Sequence, residues 1–304
     1  MNILITGGTV FASRYTAEYF VKKGHDVYVL NRNSRPQSSG VKLICCDRHN
    51  LNNSLKDIAF DAVIDVTAYN EQDILSLTDG LGKFDTYIMI SSSAVYPETN
   101  PQPFTETQMC GPNIHWGNYG TDKLAAEKLL LKRIPSAYII RPPYLYGKMN
   151  NLYREAFVFE CAEQERPFYI PDNENLNLQF FDIEDMCRLV EIIIEHKPIH
   201  RIYNVGNPNP ICVRDWVKLC YNVVGKQAEI LSVSKDVEIY NYFPFRNYNY
   251  FLDVTRQIDL MPTIKPMHQG IAESYQWYKS NKDLIRRKGY IDYINKNFNN
   301  ITEE

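Results

Sequence analysis

Asn2-Ile3-Leu4-Ile5-Thr6-Gly7-Gly8-Thr9-Val10-Phe11 runs on through Tyr15, Phe20 and Val21 to Lys22-Lys23-Gly24, and then to Asp26-Val27-Tyr28-Val29-Leu30-Asn31-Arg32. This stretch decides the fold. Residues 2–6 are an apolar run suited to a buried strand, ended by two glycines. Helical spacing takes over at Phe11. Gly24 offers a C-cap behind two lysines that suit the negative end of a helix. Residues 26–32 read as a second strand. Strand, glycine turn, helix and strand within about thirty residues make a βαβ unit. The turn opens a helix whose free N–H groups and positive potential suit a pyrophosphate.

Gly7, Thr9, Val10 and Phe11 are therefore candidate cofactor contacts. Gly7 fits the tight turn of the dinucleotide fingerprint, but Val10 and Ser13 stand where its other glycines would be. Ser13 is small enough for close packing. Val10 puts a side chain beside the pyrophosphate path. At the end of the second strand an acid would accept from the 2′-OH of NAD, and an arginine would suit the 2′-phosphate of NADP. Asn31 and Arg32 stand there, which tilts the cofactor from NAD towards NADP.

The alternation continues. Val41–Cys46, Phe60–Val66, Thr86–Ile90 and Ala137–Ile140 read as strands three to six, with helices between them at Asp73–Leu81 and Tyr119–Arg133. Continuous apolar strands alternating with helices predict an α/β fold: a doubly wound parallel sheet, covered on both faces. Ligands bind such sheets at the strands' carboxyl ends. After residue 148 the chain turns rich in Asn, Pro and aromatics, at 148–153, 171–177 and 240–250. Helices are expected at Ile183–Glu195, Val213–Val224 and Met267–Ser280, and a strand at Arg201–Val205. The expected division is a dinucleotide-binding domain at 1–147, with returns near 179–205 and 241–255, and a smaller, discontinuous C-terminal substrate domain within 148–304. The tail from Asn295 should be frayed.

Composition narrows the function. The chain has 304 residues and a net charge of −3, which offers no general attraction to nucleic acid or anionic lipid. No apolar run reaches membrane-spanning length, and residues 1–6 read as a strand rather than a signal peptide, so the expected location is cytoplasmic. The seven cysteines, without a C-x-x-C pair, are expected to be reduced and mostly buried. His196 and His200 are interrupted by Pro198, and no metal site is expected.

Tyr119 and Lys123 lie four apart in Trp116–Lys128. Leu124, Ala125, Ala126, Leu129 and Leu130 favour helix, which puts the pair on one face. A neighbouring ammonium favours phenolate and lowers a tyrosine pKa from about 10. Such a tyrosine exchanges protons near neutral pH. In a chain with 22 tyrosines this spacing arises by chance, so its weight comes from its neighbours.

Those neighbours fall in one order: Thr6-Gly7-Gly8 after strand one, Asp47 after strand three, Ser91-Ser92-Ser93-Ala94-Val95-Tyr96 after strand five, Tyr119-x-x-x-Lys123, then Arg141-Pro142-Pro143-Tyr144-Leu145-Tyr146-Gly147. The order resembles the extended short-chain dehydrogenase/reductase superfamily, in its NAD-dependent epimerase/dehydratase branch, from residue 1 to about 280. The resemblance implies Tyr119 as catalytic acid/base, Lys123 as its partner, and Ser92, three before Val95, as the catalytic serine, with Ser93 the near alternative. It implies Asp47 at the adenine, Thr67 and Ala68 along the cofactor, and Pro142 beside the nicotinamide. Tyr144 and Ser93 would face substrate, and Arg246 would hold the diphosphate of a nucleotide sugar. It further implies a homodimer built on the helices near Asp73–Leu81 and Tyr119–Arg133.

The implied activity is nucleotide-sugar epimerisation by transient hydride transfer. The alternatives are an NADPH-dependent keto-sugar reductase and a non-catalytic cofactor-binding or RNA-binding relative. A dehydratase would carry an acidic pair where Ala94 and Val95 stand. Gly7–Phe11, Asn31-Arg32 and Asp47-Arg48 look closer to an atypical subgroup that includes plastid stem-loop RNA-binding proteins. Many of that subgroup lack the Tyr/Lys pair, which this chain retains. Acidic net charge argues against RNA.

Overall fold

The computed structural model describes residues 1–173 and 176–298. In chain order the elements are β1 (Asn2–Thr6), α1 (Phe11–Lys22), β2 (Asp26–Asn31), β3 (Val41–Cys45), β4 (Phe60–Asp65), α2 (Glu71–Gly80), β5 (Phe84–Ile90), α3 (Asn118–Arg133), β6 (Tyr138–Arg141), β7 (Tyr144–Tyr146), α4 (Glu155–Glu163), β8 (Phe168–Pro171), β9 (Asn177–Leu178), β10 (Phe180–Asp182), α5 (Ile183–His196), β11 (Ile202–Asn204), β12 (Ile211–Cys212), α6 (Val213–Val224), β13 (Ile230–Val233), α7 (Thr255–Leu260), α8 (Met267–Ser280) and α9 (Tyr290–Asn297). A single 3₁₀ turn at Ser93–Val95 follows β5.

One seven-stranded sheet, ordered β11-β6-β5-β4-β1-β2-β3, organises the first unit. Every neighbouring pair in it is parallel. Strand alternation splits its core into two layers. Ile3, Ile5, Val27, Val29, Ile64 and Ile88 face α1 and α5, where Phe20, Met186 and Leu189 cover them. Leu4, Val63, Tyr87, Met89 and Ile139 face α2 and α3, where Ile74, Leu77, Ala126 and Leu130 cover them. Two covered faces explain why these strands are apolar along their length rather than alternating.

The chain divides into two compact units. The first holds Met1–Leu145, Gln179–Pro208 and Phe251–Lys265; the second holds Tyr146–Leu178, Asn209–Tyr250 and Pro266–Glu304. In the second, β13 pairs in parallel with β8, β12 pairs antiparallel with β9, and the buried ring of Tyr153 stacks on Tyr290. Here Glu155 opens α4 fully buried, accepting from Asn150 Nδ2 at 2.8 Å and from the Gly147 N–H at 3.3 Å. Burial pushes its carboxyl up to about 7.

Several expectations shift. The second helix runs Glu71–Gly80 rather than 73–81, because Asn70 caps it: Asn70 Oδ1 accepts from the Asp73 N–H at 3.0 Å while Asp73 Oδ2 accepts from the Asn70 N–H at 3.2 Å. Residues 295–297 close α9 instead of fraying, and residues 299–304 of the expected tail lie outside the described residues. The stretch expected as a 171–177 loop carries the end of β8 and the start of β9, with 174–175 outside the described residues. All seven cysteines are free thiols, but only Cys161, Cys187 and Cys220 are buried. Among the described residues no helix is long and apolar enough to cross a membrane.

Candidate active site

At the C-terminal ends of β1 to β4 lies a cleft of about 330 Å³, lined by Thr6, Gly7, Asn31, Arg32, Asp47, Arg48 and Thr67 with their neighbours. Gly7 and Gly8 turn the chain with φ of 92° and 89°. A Cβ on Gly7 would stand 2.8 Å from Ser13 Oγ, and one on Gly8 2.5 Å from Val29 Cγ1. Both positions therefore need glycine in angle and in space. Ser13, at the third fingerprint position, donates from Oγ to the Val10 carbonyl at 3.0 Å. Val10 is the extended N-cap of α1, and no side chain caps that terminus. Phe11 enters the helix at φ 33°, a strained angle for a bulky residue. Thr9 and Val10 are partly exposed on the same turn.

Asn31 braces this turn: its Nδ2 donates to the Gly7 carbonyl at 2.7 Å. Arg32 is largely exposed and 3.9 Å from Asp47 Oδ2, a weak surface pair. Asp47 Oδ1 accepts from the His49 N–H at 2.9 Å.

Beneath the cleft is a buried group that the sequence reading did not assign to the site. Arg48 donates to Asp65 from both terminal nitrogens, at 3.2 and 3.0 Å, to Thr67 Oγ1 at 3.0 Å and to the Asp73 carbonyl at 2.7 Å. Asp65, fully buried, also accepts from Thr6 Oγ1 and Tyr87 OH, each at 2.7 Å. Burial by itself would raise the Asp65 pKa. The Arg48 charge and the donors around it overcome this and hold it below the usual carboxylate value. One signal was visible in the sequence: an acid inside the otherwise apolar run Ala62-Val63-Ile64-Asp65-Val66.

Lys123 and Tyr119 stand on α3. Lys123 is 2% exposed, and its ammonium donates to the carbonyls of Ala68 at 2.6 Å and Ile90 at 3.0 Å. Burial lowers its pKa to about 8 against the pull of Asp65, Glu127 and Asp73. Tyr119 is 39% exposed, its ring 6.2 Å from that of Trp116. Trp116 in turn lies 6.1 Å from Tyr144, which is buried.

Ser92 Oγ accepts from the Ala94 N–H at 3.1 Å and so caps the 3₁₀ turn. Ser93 is fully buried, and its Oγ donates to the Pro142 carbonyl at 2.9 Å, tying the end of β5 to the end of β6. Helix α3 lies against this turn: a Cβ on Gly120 would stand 2.3 Å from the Ala94 carbonyl oxygen. Gly120 thus sets how closely Tyr119 approaches the Ser92 turn, a role that spacing alone did not suggest.

Behind the turn, Ser91 Oγ donates to Glu127 at 2.5 Å, and Arg141 pairs with the same carboxylate through Nε at 3.0 Å and a terminal nitrogen at 2.5 Å. Arg141 also donates to Tyr96 OH at 2.7 Å, and Tyr96 donates to Asn204 Oδ1 at 2.8 Å. Gly7, Asn31, Arg32, Asp47 and Thr67 thus gather at one cleft, while Ser92, Ser93, Tyr119, Lys123, Ala68 and Pro142 cluster about β5 and α3. Arg246 lies in the second unit, with its guanidinium 4.6 Å from the Tyr240 ring centre.

A family model described as "NAD dependent epimerase/dehydratase family" matches residues 3–206. The chain is 25% identical over 301 residues to the chloroplast stem-loop binding protein of 41 kDa b of Arabidopsis thaliana, covering 90% of this chain and 78% of that protein. It is 21% identical over 220 residues to a probable GDP-L-fucose synthase 1 of Oryza sativa subsp. japonica, covering 66% of this chain and 64% of that protein. Among solved structures, the dTDP-glucose 4,6-dehydratase of Bacillus anthracis in complex with NAD superposes with a TM-score of 0.76 at 15% identity, over 94% of this chain and 99% of that one. The UDP-glucuronic acid 4-epimerase of Bacillus cereus, solved with UDP-glucuronic acid and NAD, gives 0.74 at 20% identity, over 92% and 99%. At these identities the structural likeness carries the fold.

Proposed function

Because the chain belongs to the NAD dependent epimerase/dehydratase family, we propose that it is an NAD(P)-dependent nucleotide-sugar epimerase with Tyr119, Lys123 and Ser92 as its catalytic residues. The observation that carries this reading is the arrangement on α3. A half-exposed phenol and a buried, anchored ammonium share that helix, which is pressed at Gly120 onto the turn bearing Ser92.

The residues fit a dinucleotide. The glycine turn leads into a helix N-terminus that no side chain caps, and the adjoining cleft is rimmed by Arg32 and Asp47. Gly7, Thr9, Val10 and Phe11 would hold the pyrophosphate, Asp47 the adenine, and Thr67, Ala68, Lys123 and Pro142 the nicotinamide half. Asn31 holds the turn itself, leaving Arg32 to reach a 2′-phosphate, so NADP is the favoured form. When bound, a nicotinamide supplies the acceptor and donor of hydride.

The chain's own residues do the rest. Tyr119 takes the proton of a sugar hydroxyl, helped by the nearby positive charge of Lys123. Ser92 donates to the oxygen as charge changes there. Tyr119 returns the proton once the keto intermediate has turned over, which makes the net change an inversion. Arg246, in the second unit, would hold the nucleotide diphosphate. The assembly would be a homodimer through α2 and α3, to be checked by light scattering.

The same residues with external NADPH would make a keto-sugar reductase. The likeness to a stem-loop binding protein over 90% of the chain supports a second reading, a cofactor-binding RNA-associated protein. The net charge of −3 weighs against it.

Calorimetric titration with NAD⁺, NADH, NADP⁺ and NADPH, followed by turnover of UDP- and dTDP-sugars, tests the proposal. Tyr119→Phe should lower the rate by about 10²–10⁴ with cofactor still bound. Near-normal turnover in that variant would dismiss the catalytic assignment, and failure to bind any dinucleotide would dismiss the enzyme reading.

A further inference from the structure

Beside Lys123 stands a residue that no motif pointed to. Tyr69 follows Ala68 directly, in the turn between β4 and α2. Its ring centre lies 4.9 Å from Lys123 Nζ. The turn is held rigidly: Asp73 Oδ2 accepts from the Tyr69 N–H at 2.7 Å and from the Asn70 N–H at 3.2 Å. Asp73 is itself tied to His49 Nε2 at 2.7 Å and to Arg48 Nε at 3.3 Å. One turn thus presents two things to the same ammonium, the carbonyl of Ala68 and the face of Tyr69. Tyr69 is 52% exposed and lines the cleft, so its aromatic body is not core filling.

An ammonium has three N–H donors and no acceptor. Two are spent on Ala68 and Ile90. An aromatic face attracts a cation through its quadrupole, and more strongly where water is excluded. Leaving the ring in place therefore shields Lys123 from water on the cleft side while still favouring its charged form.

We propose that Tyr69 is a positioning residue for Lys123, its ring face and the neighbouring carbonyl together fixing the buried ammonium behind the cleft wall that Tyr69 lines. The role assigned to Lys123 rests on the cofactor reading above; the placement by Tyr69 does not. The other charged groups facing Lys123 are Asp65 from β4, Asp73 from α2, Glu127 from α3 itself, and Arg48 from the segment after β3. None of them changes when Tyr69 is replaced.

The test reads Lys123 directly. Carbon-13 NMR of the lysine Cε signals across a pH series, with Lys123 assigned by the signal lost in Lys123→Met, gives the titration midpoint of this buried lysine without reagent access and without any dinucleotide present. The wild type should titrate near 8, the value to which burial lowers it. Tyr69→Leu keeps an apolar cover but removes the quadrupole, and should move the midpoint down by about half to one pH unit. Tyr69→Phe keeps the ring face and should restore the wild-type midpoint. An unmoved or raised midpoint in Tyr69→Leu, with an unchanged circular dichroism spectrum, overturns the proposal. So does a Tyr69→Phe midpoint that follows Tyr69→Leu. A parallel titration with NADPH separates the two ideas: if the wild type binds none, the cofactor reading fails while the Lys123 midpoint still decides the role of Tyr69.

Discussion

Gly120 of α3 and Ala94 of the 3₁₀ turn after β5 touch through backbone, with a Cβ on Gly120 destined to stand only 2.3 Å from the Ala94 carbonyl oxygen. The contact joins the element carrying Tyr119 and Lys123 to the element carrying Ser92. The position is held by space rather than by backbone angle, because Gly120 lies inside a regular helix.

Gly120→Ala therefore sets two effects against each other. Alanine is the better helix former by about 1 kcal/mol. Backbone cannot yield as a flexible side chain would, so overpacking of about 1–3 kcal/mol should win. Thermal denaturation should show a net loss of stability. Because Tyr119 moves with the helix, turnover should fall more than stability does. A stabilised, fully active variant would show that α3 has slack against the turn.

Removing Asp65 should be severe. Asp65→Ala leaves the Arg48 guanidinium, itself 14% exposed, without its main counter-charge, at a cost of about 3–5 kcal/mol. The wild type should also be acid-sensitive through this group. Its folded pKa lies below the usual value, so its contribution is complete above the unfolded pKa of 3.8 and is lost as pH falls through the lower folded value. Urea midpoints measured from about pH 5 down to about pH 2 should fall in the wild type below the unfolded pKa, with a shallower fall in Asp65→Asn.

Glu155 predicts the opposite slope. Its folded pKa is raised from 4.5 to about 7, so the folded chain keeps a proton that the unfolded chain has released. Stability should decline as pH rises from 4.5 to 7 through this group and level off above. Glu155→Gln retains an oxygen for the Asn150 and Gly147 donors and should flatten that decline. A slope that survives the substitution would place its origin elsewhere.

Arg32→Ala should weaken NADP(H) and spare NAD(H). Loss of one charge-assisted contact is about 1.5 kcal/mol, near the low end because the side chain is exposed. Equal weakening of both cofactors in calorimetry would show that Arg32 does not read the 2′-phosphate.

The first unit was legible because its central strands are buried on both faces and therefore written as unbroken apolar runs, as in Leu4 flanked by Ile3 and Ile5. The short strands of the second unit were not. Strand β9 has two residues and β13 four, lengths at which a period cannot be read. Helix α4 was missed for another reason. Ala156, Phe157, Val158, Phe159, Cys161 and Ala162 are all buried, which leaves only Glu160 and Glu163 as a narrow polar edge, too little to mark a nine-residue helix. In the candidate site, spacing put Tyr119 and Lys123 on one helix, and the family resemblance, not spacing, pointed to Ser92. Arg48 and Asp65 are 17 residues apart, Asp65 and Tyr87 are 22, and their meeting depends on strand order. Tyr69 escaped because it lies in a turn and its partner arrives from α3, 54 residues further along the chain.

Strand β6 has a consequence for how the chain is made. It pairs with β5 on one side and with β11 on the other, and β11 emerges only after the first excursion into the second unit, Tyr146–Leu178. Until then Tyr138-Ile139-Ile140-Arg141 presents a bare row of amides and carbonyls, three of its four residues apolar and all four buried in the finished fold. Such an edge is a template for another chain. A nascent polypeptide stalled before Ile202, or a fragment cut within the excursion, would thus be prone to self-association although most of its sheet is already formed. Pairing with β11 moves the open edge from β6 to a strand of only three residues, Ile202–Asn204, which offers a much shorter template.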